Sequence, residues 1–219
     1  MFGVLAQSTS TTGIDATLER SLDLIGVFVF AVSGGLLAVR KGFELVGVLA
    51  LSLVTALGGG VIRDVVLGAT PPTAFGDVWY LIVPLTAALI VFVGHATIER
   101  RLTTPVLVFD AAGLGVFSAT GAVEASASDA SAVGAVLIGV ITATGGGIIR
   151  DVLANDQPQL FQRDSRLYAI PAALGATIVV VSWRNGIYSG GVAIAAAVGV
   201  TALRIAALRF GWRAPMPRP

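Results

Sequence analysis

Long apolar stretches, each about one bilayer crossing in length, alternate with short polar connections along the chain. A hydrocarbon core of about 30 Å needs roughly 20 apolar residues of helix. Seven stretches meet or approach that length, over about 21–39, 45–67, 78–98, 104–122, 130–153, 167–183 and 186–208. The runs are continuous rather than alternating, so the pattern predicts transmembrane helices and not barrel strands. Residues 1–20 begin MFGVLAQSTSTTG, with too short an apolar run for a secretory signal, and are expected to form a polar tail.

The connections carry their cations on alternate sides. Arg40 and Lys41 follow the first stretch, Arg100 and Arg101 the third, Arg163 and Arg166 the fifth, and Arg209, Arg213 and Arg218 the seventh. The connections after the second and fourth stretches hold Asp77, Glu124 and Asp129 and no cation; Arg184, after the sixth, is the exception. The excess of Lys and Arg on cytoplasmic loops places the N-terminus outside and the C-terminus in the cytoplasm.

The chain repeats itself. TALGGGVIRDV at Thr55–Val65 returns 87 residues later as TATGGGIIRDV at Thr142–Val152, with nine of eleven positions identical. At the same offset Asp23 matches Asp110, Gly26 Gly113, Phe30 Phe117, Ser33 Thr120, Gly34 Gly121, Gly47 Gly134 and Pro84 Pro171. Such self-similarity marks two copies of one unit: residues 21–101 and 102–184, each of three helices. An odd number of crossings per copy makes the second copy enter from the opposite side. Copies related in this way are common in transporters, whose sites lie at the repeat interface near the midplane. Residues 185–208 add a seventh helix without a counterpart, and 209–219 form a cytoplasmic tail.

The repeated motif holds the candidate chemistry. Three glycines together, Gly58, Gly59 and Gly60 or Gly145, Gly146 and Gly147, predict a kink or an unwound turn, since each costs a helix about 1 kcal/mol relative to alanine. Unwound backbone inside a membrane must meet protein or water, and its carbonyls can then coordinate a cation. The alternative use is close helix packing. Charged groups in a membrane segment need a partner or water. The matched depths of Asp23 and Arg63, and of Asp110 and Arg150, predict two ion pairs. Asp64 and Asp151 are neighbours of these arginines and point about 100° away around the helix. Ser33, Thr55, Thr120 and Thr142 are candidate polar pore groups, or else bond to their own helix backbone. Trp79, Tyr80, Trp183 and Tyr188 fall at stretch ends and read as interfacial anchors. His95 also reads as interfacial. Gly191, Ala195 and Gly199 make a small-residue stripe that predicts a tight helix contact within or between subunits.

Composition agrees with a membrane protein: 55% of residues are hydrophobic and only 12% are charged, against about 25% charged in soluble domains. A net charge of +1 gives no field for nucleic acid. Absence of cysteine removes thiolate metal sites and disulfides. No histidine cluster or nucleophile–base pairing suggests an enzyme, and no metal or cofactor is expected.

The doubled Gly-Gly-Gly-x-x-Arg-Asp, the inverted three-plus-three plan and the seventh helix together resemble the prokaryotic members of the trimeric intracellular cation (TRIC) channel family. The resemblance covers about residues 21–208. It implies a homotrimer with one hourglass-shaped pore in each protomer, lined by kinked glycine segments of the second and fifth helices. It also implies passage of potassium, with sodium admitted. The same bacterial sequence family has been described as glycine transporters. The leading expectation is therefore a potassium-permeable cation channel in the plasma membrane, surrounded by lipid. The alternative is a secondary transporter of a small zwitterion such as glycine, with an arginine taking the carboxylate and an aspartate the ammonium.

Overall fold

The computed structural model describes residues 13–98, 103–162 and 167–212. Arg100, Arg101, Arg163, Arg166, Arg213 and Arg218, and the side chain of His95, lie outside what is described. Among the described residues the elements are α1 (Gly13–Arg40), α2 (Leu45–Val66), a single turn α3 (Thr73–Gly76), α4 (Trp79–Ile98), α5 (Thr103–Ala127) and α6 (Ala132–Leu153). A 3-10 turn (Gln159–Phe161), α7 (Ala169–Arg184) and α8 (Gly190–Phe210) follow. The seven long helices fall on the seven apolar stretches. Helix α1 begins at Gly13, inside the stretch expected to be a polar tail.

By length and composition, five helices can cross a membrane, over Thr17–Arg40, Leu45–Val66, Pro105–Ala127, Ala132–Leu153 and Gly190–Phe210. The apolar parts of α4 and α7, Trp79–Gly94 and Ala169–Arg184, are shorter. At 1.5 Å per residue α7, of 16 residues, reaches about 24 Å, while the whole of α4, of 20 residues, reaches about 30 Å. Helix ends follow local chemistry. Ser131 caps α6 by accepting from the Gly134 N–H at 3.1 Å. Gly211 stops α8 in the left-handed region, at φ 71°, where a side chain would be strained.

Helices α1 and α5 form the centre of the bundle. Within their apolar windows 67% and 78% of residues are buried, against 33% for α2 and α8. The two run antiparallel. Thr120 meets Asp23, Phe117 packs over Gly26, Phe30 packs over Gly113, and Ser33 donates to the Val106 carbonyl. Each phenyl thus sits on the glycine that the other copy supplies, and the rings meet edge to face with centroids 5.2 Å apart. A methyl group on either glycine would displace a ring. Outside this core the helices present Val46, Val93, Leu137, Ile178, Val181 and Val198 outward, as lipid contact requires.

Helices α2 and α6 cross at the glycine triplets. Both are uninterrupted α-helix through the glycines, so the unwound turn expected from three consecutive glycines is absent. The reason is packing. A Cβ on Gly59 would overlap the Thr142 carbonyl oxygen, and a Cβ on Gly146 would overlap the Thr55 carbonyl oxygen. Close backbone contact, rather than a broken helix, is what the glycines supply here.

The small-residue stripe on α8 faces outward. Nothing lies within 4 Å of a Cβ on Gly199, and only Ser189 near one on Gly191. Among the described residues its glycines meet no other helix.

Candidate functional site

Two buried ionic clusters of the same design stand on either side of the glycine crossing. In the first, Arg63 in the last turn of α2 is 2% exposed. Its Nε donates to Asp64 Oδ1 at 2.8 Å, and its Nη1 lies 3.6 Å from Asp23 Oδ1 of α1. Asp23 also accepts from the Tyr80 hydroxyl of α4 at 2.8 Å and from Thr120 Oγ1 of α5 at 3.1 Å. Glu124, one turn further along α5, has its Oε1 at 3.9 Å from Arg63 Nη2.

The second cluster repeats the plan. Arg150 of α6 is fully buried. Its Nη1 donates to Asp110 Oδ1 of α5 at 2.8 Å and to Ser33 Oγ of α1 at 2.6 Å. Its Nε donates to Asp151 at 2.8 Å. The Tyr168 hydroxyl, just before α7, donates to Asp110 at 3.3 Å. Arg204 of α8 lies over the Tyr168 ring, 4.8 Å from its centroid. It donates to the Leu167 carbonyl and to Gln159 Oε1.

Both anticipated ion pairs form. The neighbouring aspartates behave differently from the sequence reading. Arg63 and Asp64 bond to each other despite their 100° offset, and Arg150 and Asp151 do the same. The outer oxygens of these aspartates then order the following loop. Asp64 Oδ2 accepts the Thr73 N–H that opens α3, and Asp151 Oδ2 accepts the Gln159 N–H that opens the 3-10 turn. Each aspartate caps a turn and neutralises its arginine at once.

Asp23 and Ser33 are ten residues apart on α1, so the clusters stand about 15 Å apart along the bundle. Between them lie the Phe30–Phe117 pair and the glycine crossing. Thr55 and Thr142 sit at that crossing. Their hydroxyls donate to their own helices, at Leu51 and Ile138, and nest against Gly34 and Gly121. The remaining glycines have separate neighbours. Gly58 faces Ile149, Gly60 is open toward Arg63, Gly145 abuts Gly59, and Gly147 makes room for Tyr168 and Asp110.

The surroundings of the clusters differ. A cavity of about 230 Å³ opens beside the first, lined by Glu19, Asp23, Asp77, Tyr80, Thr120 and Glu124 among others. At its rim Arg20 binds Asp77 at 2.6 Å. Asp77 also accepts the Trp79 N–H. That backbone bond, then the arginine, hold its carboxyl below the usual range. Among the described residues no group of histidine, cysteine and acidic side chains is arranged to hold a metal ion.

Tyr80 and Tyr168 are the site residues that helix-end reasoning missed. Tyr80, read as an interfacial anchor, is buried and bonded to Asp23. Tyr188 packs on Trp183 and donates to Glu19. The two cluster tyrosines do not share the 87-residue offset, so the repeat alone did not mark them. A hydrogen bond to a charged partner is worth about 1.5–3 kcal/mol. Tyr80→Phe is expected to lower the unfolding temperature in detergent, and Tyr168→Phe, with the longer bond, to lower it less. Zero shifts in the two melts would show that neither hydroxyl holds its carboxylate, and equal losses that bond length does not rank them.

Comparison with known proteins agrees with this architecture. The family model described as glycine transporter matches residues 20–96 and 107–184, which are the two copies. A UPF0126 membrane protein of Vibrio cholerae is 40% identical over 95% of this chain and 85% of its own length. The UPF0126 inner membrane protein YadS of Escherichia coli is 36% identical over 89% of this chain and 93% of its own. The crystal structure of the TRIC trimeric intracellular cation channel orthologue from Rhodobacter sphaeroides superposes with a TM-score of 0.83. It is 36% identical and covers 89% of this chain and 99% of its own. The chain belongs to this family of prokaryotic membrane proteins, described as glycine transporters and built on the TRIC channel fold.

Proposed function

We propose that the protein is a potassium-permeable monovalent-cation channel of the bacterial plasma membrane, with one pore in each protomer of a homotrimer. In this reading all seven long helices cross the membrane. The N-terminus is outside and the C-terminus cytoplasmic, and the two three-helix units are inverted about an axis in the membrane plane. Contacts between loops agree with that sidedness. Arg40 and Lys41 pair with Asp156, Arg20 pairs with Asp77, and Arg184 donates to the Ala130 carbonyl. Each contact joins loops assigned to the same side.

One observation carries the reading: two like clusters, each holding its central arginine among two or more carboxylates, flank the crossing of α2 and α6. An unpaired arginine in the path would repel cations. Here each arginine is bonded to its own carboxylates, and the surplus negative charge favours cations over anions. The glycine faces of α2 and α6 line the path. The phenyl pair and the glycine contact fill its middle, so this arrangement is a closed one, and conduction requires α2 and α6 to separate. The permeant ions are potassium and sodium, with no resident cofactor.

The glycine-transporter description favours a second reading, in which Arg63 takes the carboxylate of a zwitterion and Asp23 its ammonium. Inverted repeats serve alternating access equally well. Proteoliposomes separate the two. A channel gives potassium flux that does not saturate at millimolar concentrations and is unaffected by glycine. Saturable uptake of labelled glycine without potassium flux would replace the channel reading by the transporter one.

A further inference from the structure

We infer that Glu124 makes the conduction path electrically one-sided, acting as a cation-concentrating carboxylate at the mouth beside Arg63 and having no counterpart among the described residues at the other mouth. The inference rests on the channel reading and adds a specificity-determining residue to it.

The two copies of the repeat differ at this position. Glu124 stands on α5 where the first copy has Leu37 on α1, a residue 2% exposed in the core. The other cluster carboxylates all accept hydrogen bonds, Asp110 through Oδ1 alone, its Oδ2 being buried without a partner. Asp23 accepts from Tyr80 and Thr120, Asp64 from Arg63 and Thr73, Asp110 from Arg150 and Tyr168, and Asp151 from Arg150 and Gln159. Glu124 stands 3.9 Å from Arg63, beyond hydrogen-bond distance, with its side chain 51% exposed. It faces the cavity of about 230 Å³ that it shares with Glu19, Asp23 and Asp77. At about 30 Å³ per water, that space holds a monovalent cation with much of its hydration shell.

A second observation ties the cavity to the path. Arg63 Nη1 is buried and has no hydrogen-bond acceptor. Arg63 lines a smaller cavity of about 10 Å³, with Asp23, Gly60, Asp64, Thr73 and Tyr80. Asp23, Thr73 and Tyr80 line the large cavity as well, so the small space beside the arginine lies directly behind the mouth. The second cluster is shut at the matching place. Gly147 is covered by the Tyr168 hydroxyl, where Gly60 is open, and Arg204 lies across the Tyr168 ring. Counting ionised groups, the first cluster carries Asp23, Asp64 and Glu124 against Arg63. The second carries Asp110 and Asp151 against Arg150, with Arg204 adjacent. Among the described residues the first mouth is the more acidic and opens on the larger cavity, while the second is closed by Tyr168 and Arg204.

A unit charge at a water-filled mouth raises the local concentration of a monovalent cation about threefold at low salt, and far less at 1 M, where the screening length is about 3 Å. Ions entering from the Glu124 side should therefore carry the larger current when salt is scarce. The test is single-channel current–voltage curves in symmetric KCl at about 10 mM and 1 M, for the wild type, Glu124→Gln and Glu124→Asp. A single channel keeps one orientation, so its rectification is readable without controlling insertion. Rectification of about twofold to threefold is expected in the wild type at low salt only, retained by Glu124→Asp and lost in Glu124→Gln. A wild type symmetric at 10 mM, or Glu124→Gln rectifying like the wild type, overturns this inference and leaves the channel reading standing. A wild type without potassium current overturns both.

Discussion

Leucine at position 146 is expected to destabilise the protein by about 3 kcal/mol or more and to eliminate its potassium flux. Overpacking a filled core costs about 1–3 kcal/mol when side chains can shift. Here the first added atom already overlaps the Thr55 carbonyl oxygen, and the Phe30 ring closes the other side at 3.2 Å. A backbone carbonyl in a helix cannot move without breaking its own hydrogen bond. Gly59→Leu should behave alike, because its Cβ meets the Thr142 carbonyl. Gly94→Leu is the control: nothing lies within 4 Å of a Cβ there, so a small effect of either sign is expected. Thermal unfolding in detergent, beside flux in proteoliposomes, reads both quantities. A Gly146→Leu protein as stable as the wild type would show that α2 and α6 do not meet as described.

Asp110→Asn is expected to be the most damaging isosteric change, at about 3–5 kcal/mol, because it leaves the sealed guanidinium of Arg150, with Arg204 nearby, to Asp151 alone. Arg150 and Asp110 are both sealed from solvent, and no cavity reaches them among those beside the clusters. Asp23→Asn should cost clearly less. Arg63 keeps Asp64, has Glu124 within reach, and lies behind the open cavity that Asp23 lines. The two single variants, unfolded in parallel, give the comparison. Equal losses would mean that the first cluster is as dry as the second.

Much of this was legible before any coordinates. Apolar run length marked the seven long helices, and the 87-residue offset paired Asp23 with Asp110 and Arg63 with Arg150. The same offset revealed the phenyl–glycine exchange of Phe30 with Gly113 and Phe117 with Gly26, though only as matched letters. What stayed hidden depends on neighbours that the sequence does not order in space. Three glycines weaken an isolated helix, but at the α2–α6 crossing the gain from close packing outweighs that propensity, and the helices run on unbroken. An angular rule separated Arg63 from Asp64 but took no account of how far an arginine side chain reaches. Tyr80 looked like an interfacial aromatic because it starts a helix; its hydroxyl is drawn inward by Asp23. The cap that Asp64 gives to Thr73 depends on a loop fold that no local motif announced.

The central claim is most directly tested by the reversal potential of purified wild-type protein in a planar bilayer under a tenfold KCl gradient. Discrete unitary currents reversing close to the potassium equilibrium potential are expected, since each cluster neutralises its central arginine and the first carries surplus carboxylates. Reversal near the chloride potential, or a silent bilayer with protein that still takes up glycine saturably in vesicles, would contradict a cation path through these clusters.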